Sequence, residues 1–302
     1  MTSRHVLVLS GGLSPERDVS LRSGRRVADA LKDVRPDWHV AEADVDAALL
    51  PYLQENRPDC IVPLLHGAAG EDGALRDLLE TLDIDYMGSD ASGSRLAFDK
   101  PVASTLVSGT GVAVPEFVVM PQSTFRELGA PAVMAAIGDR IGFPLVVKPT
   151  RGGSALGVSI VRQSADLPHA MVSAFAYGET VMIQRFISGT EVAVSVIDGP
   201  DGVRTMYDYH ARYTAGTTEF FCPARFSEEM AATVSEVGLT VHSVLGLSDL
   251  SRSDVLVDDD GVVWFLEVNV APGMTETSLL PQAISVAGLS VGEVLAGIIE
   301  SG

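Results

Sequence analysis

Two short stretches hold residues able to bind a divalent cation. Glu267-x-Asn269 lies inside the apolar run 262–269, and Arg252-x-Asp254 precedes it across the acidic turn Asp258-Asp259-Asp260-Gly261. Residues two apart on a strand share a face, so Glu267 and Asn269 project together while Val268 points the other way. Asp254 on the neighbouring strand completes a patch of hard oxygen donors. Such a patch suits Mg²⁺, with water and phosphate oxygens filling the remaining positions. The acidic turn itself reads as a solvent-facing hairpin. That reading does not suit Glu267 and Asn269, which are embedded in apolar sequence.

A second stretch, Lys148-Pro149-Thr150-Arg151-Gly152-Gly153-Ser154-Ala155-Leu156-Gly157, falls between two apolar runs. Glycines let backbone N–H groups close around phosphate oxygens, and a lysine adds a point charge. It lacks the G-x-x-x-x-G-K-[ST] order of a Walker A loop, and no helix is expected after it. Taken alone, it is equally a plain β-turn. A third stretch, residues 10–20, is glycine-rich but is not the dinucleotide G-x-G-x-x-G. There Asp18 or Ser20 is also a candidate cap for the helix that follows. His66-Gly67-Ala68-Ala69-Gly70-Glu71-Asp72-Gly73 follows an apolar strand, and by itself a histidine at a strand end is more often structural than catalytic.

These loops need strands and helices to hold them. Residues 6–9 read as a buried strand, residues 19–31 as a helix with Leu21, Val27, Ala28 and Leu31 on one stripe, and residues 60–65 as a second strand. Strand, glycine-rich turn and helix open a Rossmann-like α/β unit over residues 1–90, with its loops at strand C-termini, where such sheets bind ligands. Gly88, Ser89, Gly93 and Ser94 suggest a boundary. A helix over 99–107 accommodates Pro101 in its first turn. Strands at 114–119, 143–149, 158–161 and 181–187 make residues 91–186 a central α+β unit. Strands at 191–197, 255–257 and 262–269, with helices at 227–245 and 291–299, make residues 187–302 a C-terminal α+β unit, including a lid loop at about 205–223.

The chain has 302 residues, beyond the size at which one core keeps growing. Its 21 Lys+Arg against 40 Asp+Glu give a net charge of −19. That field repels nucleic acid and anionic lipid, so a nucleotide site must gather its own cations and metal. Cys60 and Cys222 do not make a disulfide framework and read as free thiols in a reducing compartment. The apolar part of the N-terminus is too short for a signal peptide, and no apolar run reaches the length of a membrane span. The expectation is a soluble cytoplasmic protein.

Four stretches occur in an order that resembles the D-alanine–D-alanine ligase family of the ATP-grasp fold. They are GGLSPERDVSL (11–21), LHGAAGEDG (65–73), YDYHARY (207–213) and EVNVAPGMTETSLLP (267–281). The resemblance runs from Gly11 to Gly288. It implies ATP enclosed between the central and C-terminal units, with Lys100 and Lys148 on the phosphates and Glu191 on the ribose. The segment containing Gln184, Arg185 and Ile187 would read adenine, with Arg212 also on the nucleotide side. Asp254, Glu267 and Asn269 would hold Mg²⁺, two ions in all, replaceable by Mn²⁺. Glu16 would orient the first amino acid's ammonium, with Val19 and His66 beside it. Ser154 and Tyr213 would link Glu16 to the lid. Arg252 and the Gly273 N–H would hold the oxyanion, and Ser278 and Leu279 the second amino acid's carboxylate.

The activity implied is a carboxylate–amine ligation through an acyl phosphate, making a D-alanine dipeptide for the cell wall. A homodimer acting on small molecules is the implied assembly. Departures from the family pattern touch the second substrate. Arg212 stands for a lysine, Thr277 for a histidine, Gln184 for a glutamate, Arg76 for a glutamine and Ala155 for a serine. Glu276 adds a negative charge where a substrate carboxylate should bind, which weakens that binding. A specialised relative with another nucleophile is the alternative, such as ring closure to D-cycloserine or ligation of another D-amino or hydroxy acid. A silent nucleotide-binding protein would have lost metal ligands or Arg252, and none is lost.

Overall fold

The computed structural model describes residues 3–199, 202–210, 220–221 and 226–302. β1 (His5–Ser10) holds the run Val6-Leu7-Val8-Leu9, fully buried, as a strand covered on both faces requires. It pairs in parallel with β2 (His39–Asp44) on one side and β3 (Cys60–Pro63) on the other. α1 (Arg17–Val34) connects β1 to β2, and α2 (Leu49–Glu55) connects β2 to β3. On one face of this sheet Leu7, Leu9 and Ile61 pack with Leu49, Leu53 and Leu79. On the other, Val6, Val8 and Val62 pack with Val27, Ala28 and Leu31 of α1, and with Met274, Ile284 and Leu295 from the end of the chain. The first sheet therefore shares a core with the C-terminal helices.

α3 (Ala68–Glu71), α4 (Ala74–Thr81), α5 (Ala91–Phe98) and α6 (Lys100–Ser108) follow. Gly93 and Ser94 of the Gly/Ser-rich boundary are thus helical, while Gly88 and Ser89 precede the helix. Asp90 caps α5 by accepting the Gly93 N–H at 2.6 Å, which offsets the low helix propensity of its glycine and serines. Ala97, Ala103 and Val107 of these helices belong to the core of the five-stranded sheet described below.

β4 (Phe117–Pro121), β5 (Leu145–Pro149), β6 (Ser159–Val161) and β7 (Thr180–Arg185) form an antiparallel sheet in the order β4-β7-β5-β6. α7 (Gln122–Leu128), α8 (Ala130–Ile141) and α9 (Leu167–Phe175) accompany it, with Ile137, Ile141, Leu167 and Met171 closing its core. β8 (Thr190–Gly199), β9 (Gly202–His210), β10 (Phe220–Phe221), β11 (Leu250–Val257) and β12 (Val263–Asn269) form the second antiparallel sheet, in the order β10-β9-β8-β11-β12. α10 (Glu228–Val244) covers one face through Val234, Val237 and Val241. α11 (Leu279–Val286) and α12 (Val291–Ser301) complete the chain. Residues 205–210, expected within a loop, run as β9, while Arg212, Tyr213 and Cys222 lie outside the described residues. Among the described residues no single helix is long and apolar enough to cross a membrane.

Candidate active site

A one-residue irregularity aims the acidic residues. β11 and β12 pair with Asp254 opposite Glu267 and Val255 opposite Phe265, so Leu266 is an extra residue on β12. Val263 and Phe265 point into the core before it, and Val268 and Val270 after it. In a regular strand Glu267 would share the face of Phe265 and be buried there. The bulge shifts the phase, and Glu267 instead lines a cleft with Leu266, Arg252 and Asp254. On β11 the alternation is regular: Ser253 and Val255 are buried, while Arg252 and Asp254 face the cleft.

The cleft has a volume of about 320 Å³ and lies between the two antiparallel sheets. Val146 and Lys148 of β5, the loop 151–158, Gln184 of β7, Glu191 of β8, Leu256 of β11 and Leu279 line it. Lys148 is buried, and among the described residues its Nζ reaches only the Leu266 carbonyl, at 3.5 Å. Burial pushes its pKa down to about 8 against the attraction of Glu267. Lys100, the first residue of α6, donates from Nζ to the Gly152 carbonyl at 2.6 Å and lies 3.3 Å from a Glu267 carboxylate oxygen. Burial alone would raise the Glu267 carboxyl, but Lys100, Lys148 and Arg252 hold it below the ordinary carboxylate range. Arg252 grips Asp254 with two parallel bonds of 2.9 Å. Three cations and two carboxylates therefore meet in one cleft of a strongly acidic protein.

Among the described residues no group of three or more His, Cys, Asp and Glu is placed to hold an ion. That fits Mg²⁺, which uses one or two carboxylates and takes its other oxygens from water and substrate phosphate. Asp254 and Glu267 face each other across the ladder, and each carboxylate oxygen keeps a lone pair beyond its present contacts. Asn269 Oδ1 accepts the Ala271 N–H at 2.7 Å, which fixes the side-chain amide. Gln184 is buried on the cleft wall with its side-chain nitrogen unpartnered among the described residues, a donor open to a ligand edge. Arg185 instead turns its guanidinium outward to Glu116 at 2.9 Å, leaving only its backbone for the cleft. Ile187 lines the connector from β7 to β8 at the cleft.

Beyond the glycine-rich loop a second group of polar residues gathers. Ser154 donates to Glu16 and so joins that loop to the N-terminal end of α1. Ser154 and Ala155 both adopt left-handed backbone conformations (φ of 52° and 55°), which cost energy for residues with a Cβ. His66 is buried, with Nδ1 3.1 Å from the Ala271 carbonyl. A carbonyl only accepts, so Nδ1 carries the proton. Burial holds the ring neutral and Nε2, unpartnered, is a bare acceptor. Val19 is half-buried on α1. Ser278 Oγ accepts the Thr275 N–H at 3.0 Å, and a Cβ on Gly273 would meet that Oγ at 2.8 Å.

Several supports carried no role in the sequence. Ser20 is not a helix cap: its Oγ accepts the Gly11 N–H at 2.8 Å and donates to the Leu64 carbonyl at 2.6 Å. Asp44 is held down to about 2 by Arg17 and fixes the Gly12 N–H at 2.8 Å. A Cβ on Gly11, at φ 97°, would collide with that carboxylate. Glu71 accepts the Gly67 N–H at 2.7 Å, and burial pushes its carboxyl up to about 7. Only the position of Asp44 at the C-terminal end of a parallel strand could have pointed to it. Cys60 is buried, and burial raises its thiol to about 12, so it is inert.

A family profile described as D-ala D-ala ligase C-terminus matches residues 106–300. Over 307 aligned residues the chain is 38% identical to the D-alanine–D-alanine ligase of Anaeromyxobacter sp. (strain K), covering 99% of this chain and 97% of that one. The D-alanine–D-alanine ligase of Bacillus anthracis, solved in complex with ATP, superposes with a TM-score of 0.85 at 28% identity, over 99% of this chain and 97% of that one. The VanG D-Ala:D-Ser ligase of Enterococcus faecalis superposes with a TM-score of 0.84 at 26% identity, over 99% of each chain.

Proposed function

The chain belongs to the D-alanine–D-alanine ligase family, and from that premise we propose that it joins two D-alanine molecules with cleavage of ATP to ADP and phosphate. It is an ATP-grasp ligase that forms a peptide bond. The first amino acid's carboxylate attacks the γ-phosphate, giving an acyl phosphate and ADP. The second amino acid's amine attacks the acyl carbon, and phosphate leaves. The reading is carried by the meeting of Lys100, Lys148, Arg252, Asp254 and Glu267 in one cleft.

Phosphoryl transfer needs positioning and neutralisation of spread charge more than covalent help. Lys100 and Lys148 supply two positive charges at one end of the cleft. Asp254, Glu267 and Asn269 would hold Mg²⁺, which when bound neutralises phosphate oxygens. Gln184 and the backbone at Ile187 are assigned to adenine, and Glu191 to the ribose. Glu16, steadied by Ser154, takes the first ammonium beside Val19 and His66. Arg252 and the Gly273 N–H take the oxyanion of the second step, where losing one donor costs about 3–4 kcal/mol. Ser278 and Leu279 receive the second carboxylate. Arg212 and Tyr213 are assigned to closure over the acyl phosphate, which must be kept from water. A cytoplasmic homodimer is the assembly that the family resemblance suggests.

The test is phosphate release from ATP with D-alanine alone, then with a panel of other D-amino acids, hydroxy acids and a cyclisable substrate. Strong release with D-alanine, and a dipeptide product, is expected. Release only with the other compounds would overturn the reading in favour of a specialised nucleophile.

A further inference from the structure

Residues 273–278 are anchored from α1, by side chains that the ligase reading leaves without a role. Ser23, fully buried, accepts the Met274 N–H on its Oγ at 3.1 Å. Arg26, one turn further along α1, donates from Nη1 to the Met274 carbonyl at 3.0 Å and to the Thr275 carbonyl at 2.8 Å. The peptide unit between Met274 and Thr275 is then held at both ends. Arg26 takes its carbonyl, that of Met274, and Ser278 Oγ takes its N–H at 3.0 Å. A peptide unit is planar and stiff, so a push on the carbonyl moves the N–H with it. Ser278 also bonds Thr275 Oγ1 at 2.8 Å and crowds the site of a Gly273 Cβ. Arg26, one planar group and Ser278 thus form a short rigid chain ending at the proposed contact for the second carboxylate.

Arg26 makes no ion pair with a described residue, in a chain of net charge −19. It borders a groove of about 300 Å³ with Glu276, Gln282 and Ser285. A guanidinium that binds two carbonyls rather than a carboxylate is placed for geometry, and it also sets a positive charge against Glu276. The same helix starts beside Glu16, the group assigned to the first ammonium. α1 therefore fixes the spacing of the two amino acids along one element.

We propose that Arg26 is a positioning residue for the second amino-acid subsite, holding residues 273–278 so that Ser278 and the Gly273 N–H meet the incoming substrate. The proposal rests on the ligase reading above. Its test uses the full chain with ATP, D-alanine and hydroxylamine together. Hydroxylamine traps the acyl phosphate as a hydroxamate without needing the second subsite, so the ratio of dipeptide to hydroxamate reports that subsite alone. In Arg26→Met the ratio falls on the order of tenfold, the scale of losing charge-assisted bonds to a carbonyl. Total acyl-phosphate formation stays within about twofold of the wild type. Arg26→Lys, which keeps one point donor, gives an intermediate ratio and guards against a folding defect in the first variant. An unchanged ratio would overturn the proposal, and so would an equal fall in both products, which marks a merely structural arginine. Wild-type protein that yields neither product would instead remove the ligase reading.

Discussion

The cleft proposed for the nucleotide and the site proposed for the amino acids lie side by side, yet they are held by different means. The cleft is built on strands. Arg252, Asp254 and Glu267 are spaced by a ladder, and Lys148 by the facing sheet, so their positions follow from register. The amino-acid site is built by reach. Glu16 meets Ser154 across 138 residues of sequence, His66 meets Ala271 across 205, and Arg26 meets Thr275 across 249. A register is shared by every residue of a strand, whereas a reach depends on one or two bonds. Charge is therefore set robustly in this protein, and the proposed substrate site is set by contacts that single changes can break.

The comparison is broken outright if charge at the cleft proves dispensable. Glu267→Gln removes the carboxylate between Lys100 and Lys148 but keeps its shape. Phosphate release should fall by at least about a hundredfold, the scale of losing one electrostatic contact at a reacting centre. The melting temperature should change little, because the register is backbone-made. Turnover within threefold of the wild type would remove Glu267 from the site.

Glu71→Gln sharpens the contrast on the amino-acid side. Its carboxyl, raised from 4.5 to about 7, favours the protonated form in the folded state. The unfolded chain releases this proton first. The stability contribution is therefore complete below about pH 4.5 and is lost as pH rises to 7 and above. Glutamine copies the protonated form and still accepts the Gly67 N–H. The variant should match the wild type at pH 4.5 and exceed it at pH 8, by on the order of 2–3 kcal/mol in denaturant unfolding. Equal stability at both values would mean that Glu71 ionises freely.

The smallest effect concerns the reach between loop and helix. Ser154→Ala deletes the bond to Glu16, and the KM for the first amino acid should rise about tenfold with kcat little changed. A fall in kcat alone, measured by phosphate release against D-alanine concentration, would show that the bond serves the reaction rather than binding.

What the sequence disclosed follows the same division. Alternation placed Glu267 and Asn269 on one face and Val268 on the other, because a two-residue period survives any bulge that lies before it. The bulge at Leu266 was not legible, since an extra residue leaves no mark in a run as apolar as 262–266. β2 went unread because His39-Val40-Ala41-Glu42-Ala43-Asp44 is a polar, half-exposed strand with little apolar signal. α5 went unread because Gly93 and Ser94 look like a linker until Asp90 is seen to cap them. The motifs of the amino-acid site were visible as strings, but their mutual contacts were not. No spacing in the chain relates Ser23 or Arg26 to Met274, and Ser20 looked like a cap when it is a strap.

The single surplus residue at Leu266 and the kink it makes are tied to each other. Deleting that residue would put Glu267 directly after Phe265, and plain alternation would still send the phenylalanine inward and the acid to the cleft, on a straighter ladder. Keeping the residue while flattening the kink would turn the acid into the hydrophobic interior and present Val268 to the cleft. Extra residue and kink must therefore come or go together, and a one-residue gap at this place in a sequence comparison does not by itself separate a living enzyme from an inert one.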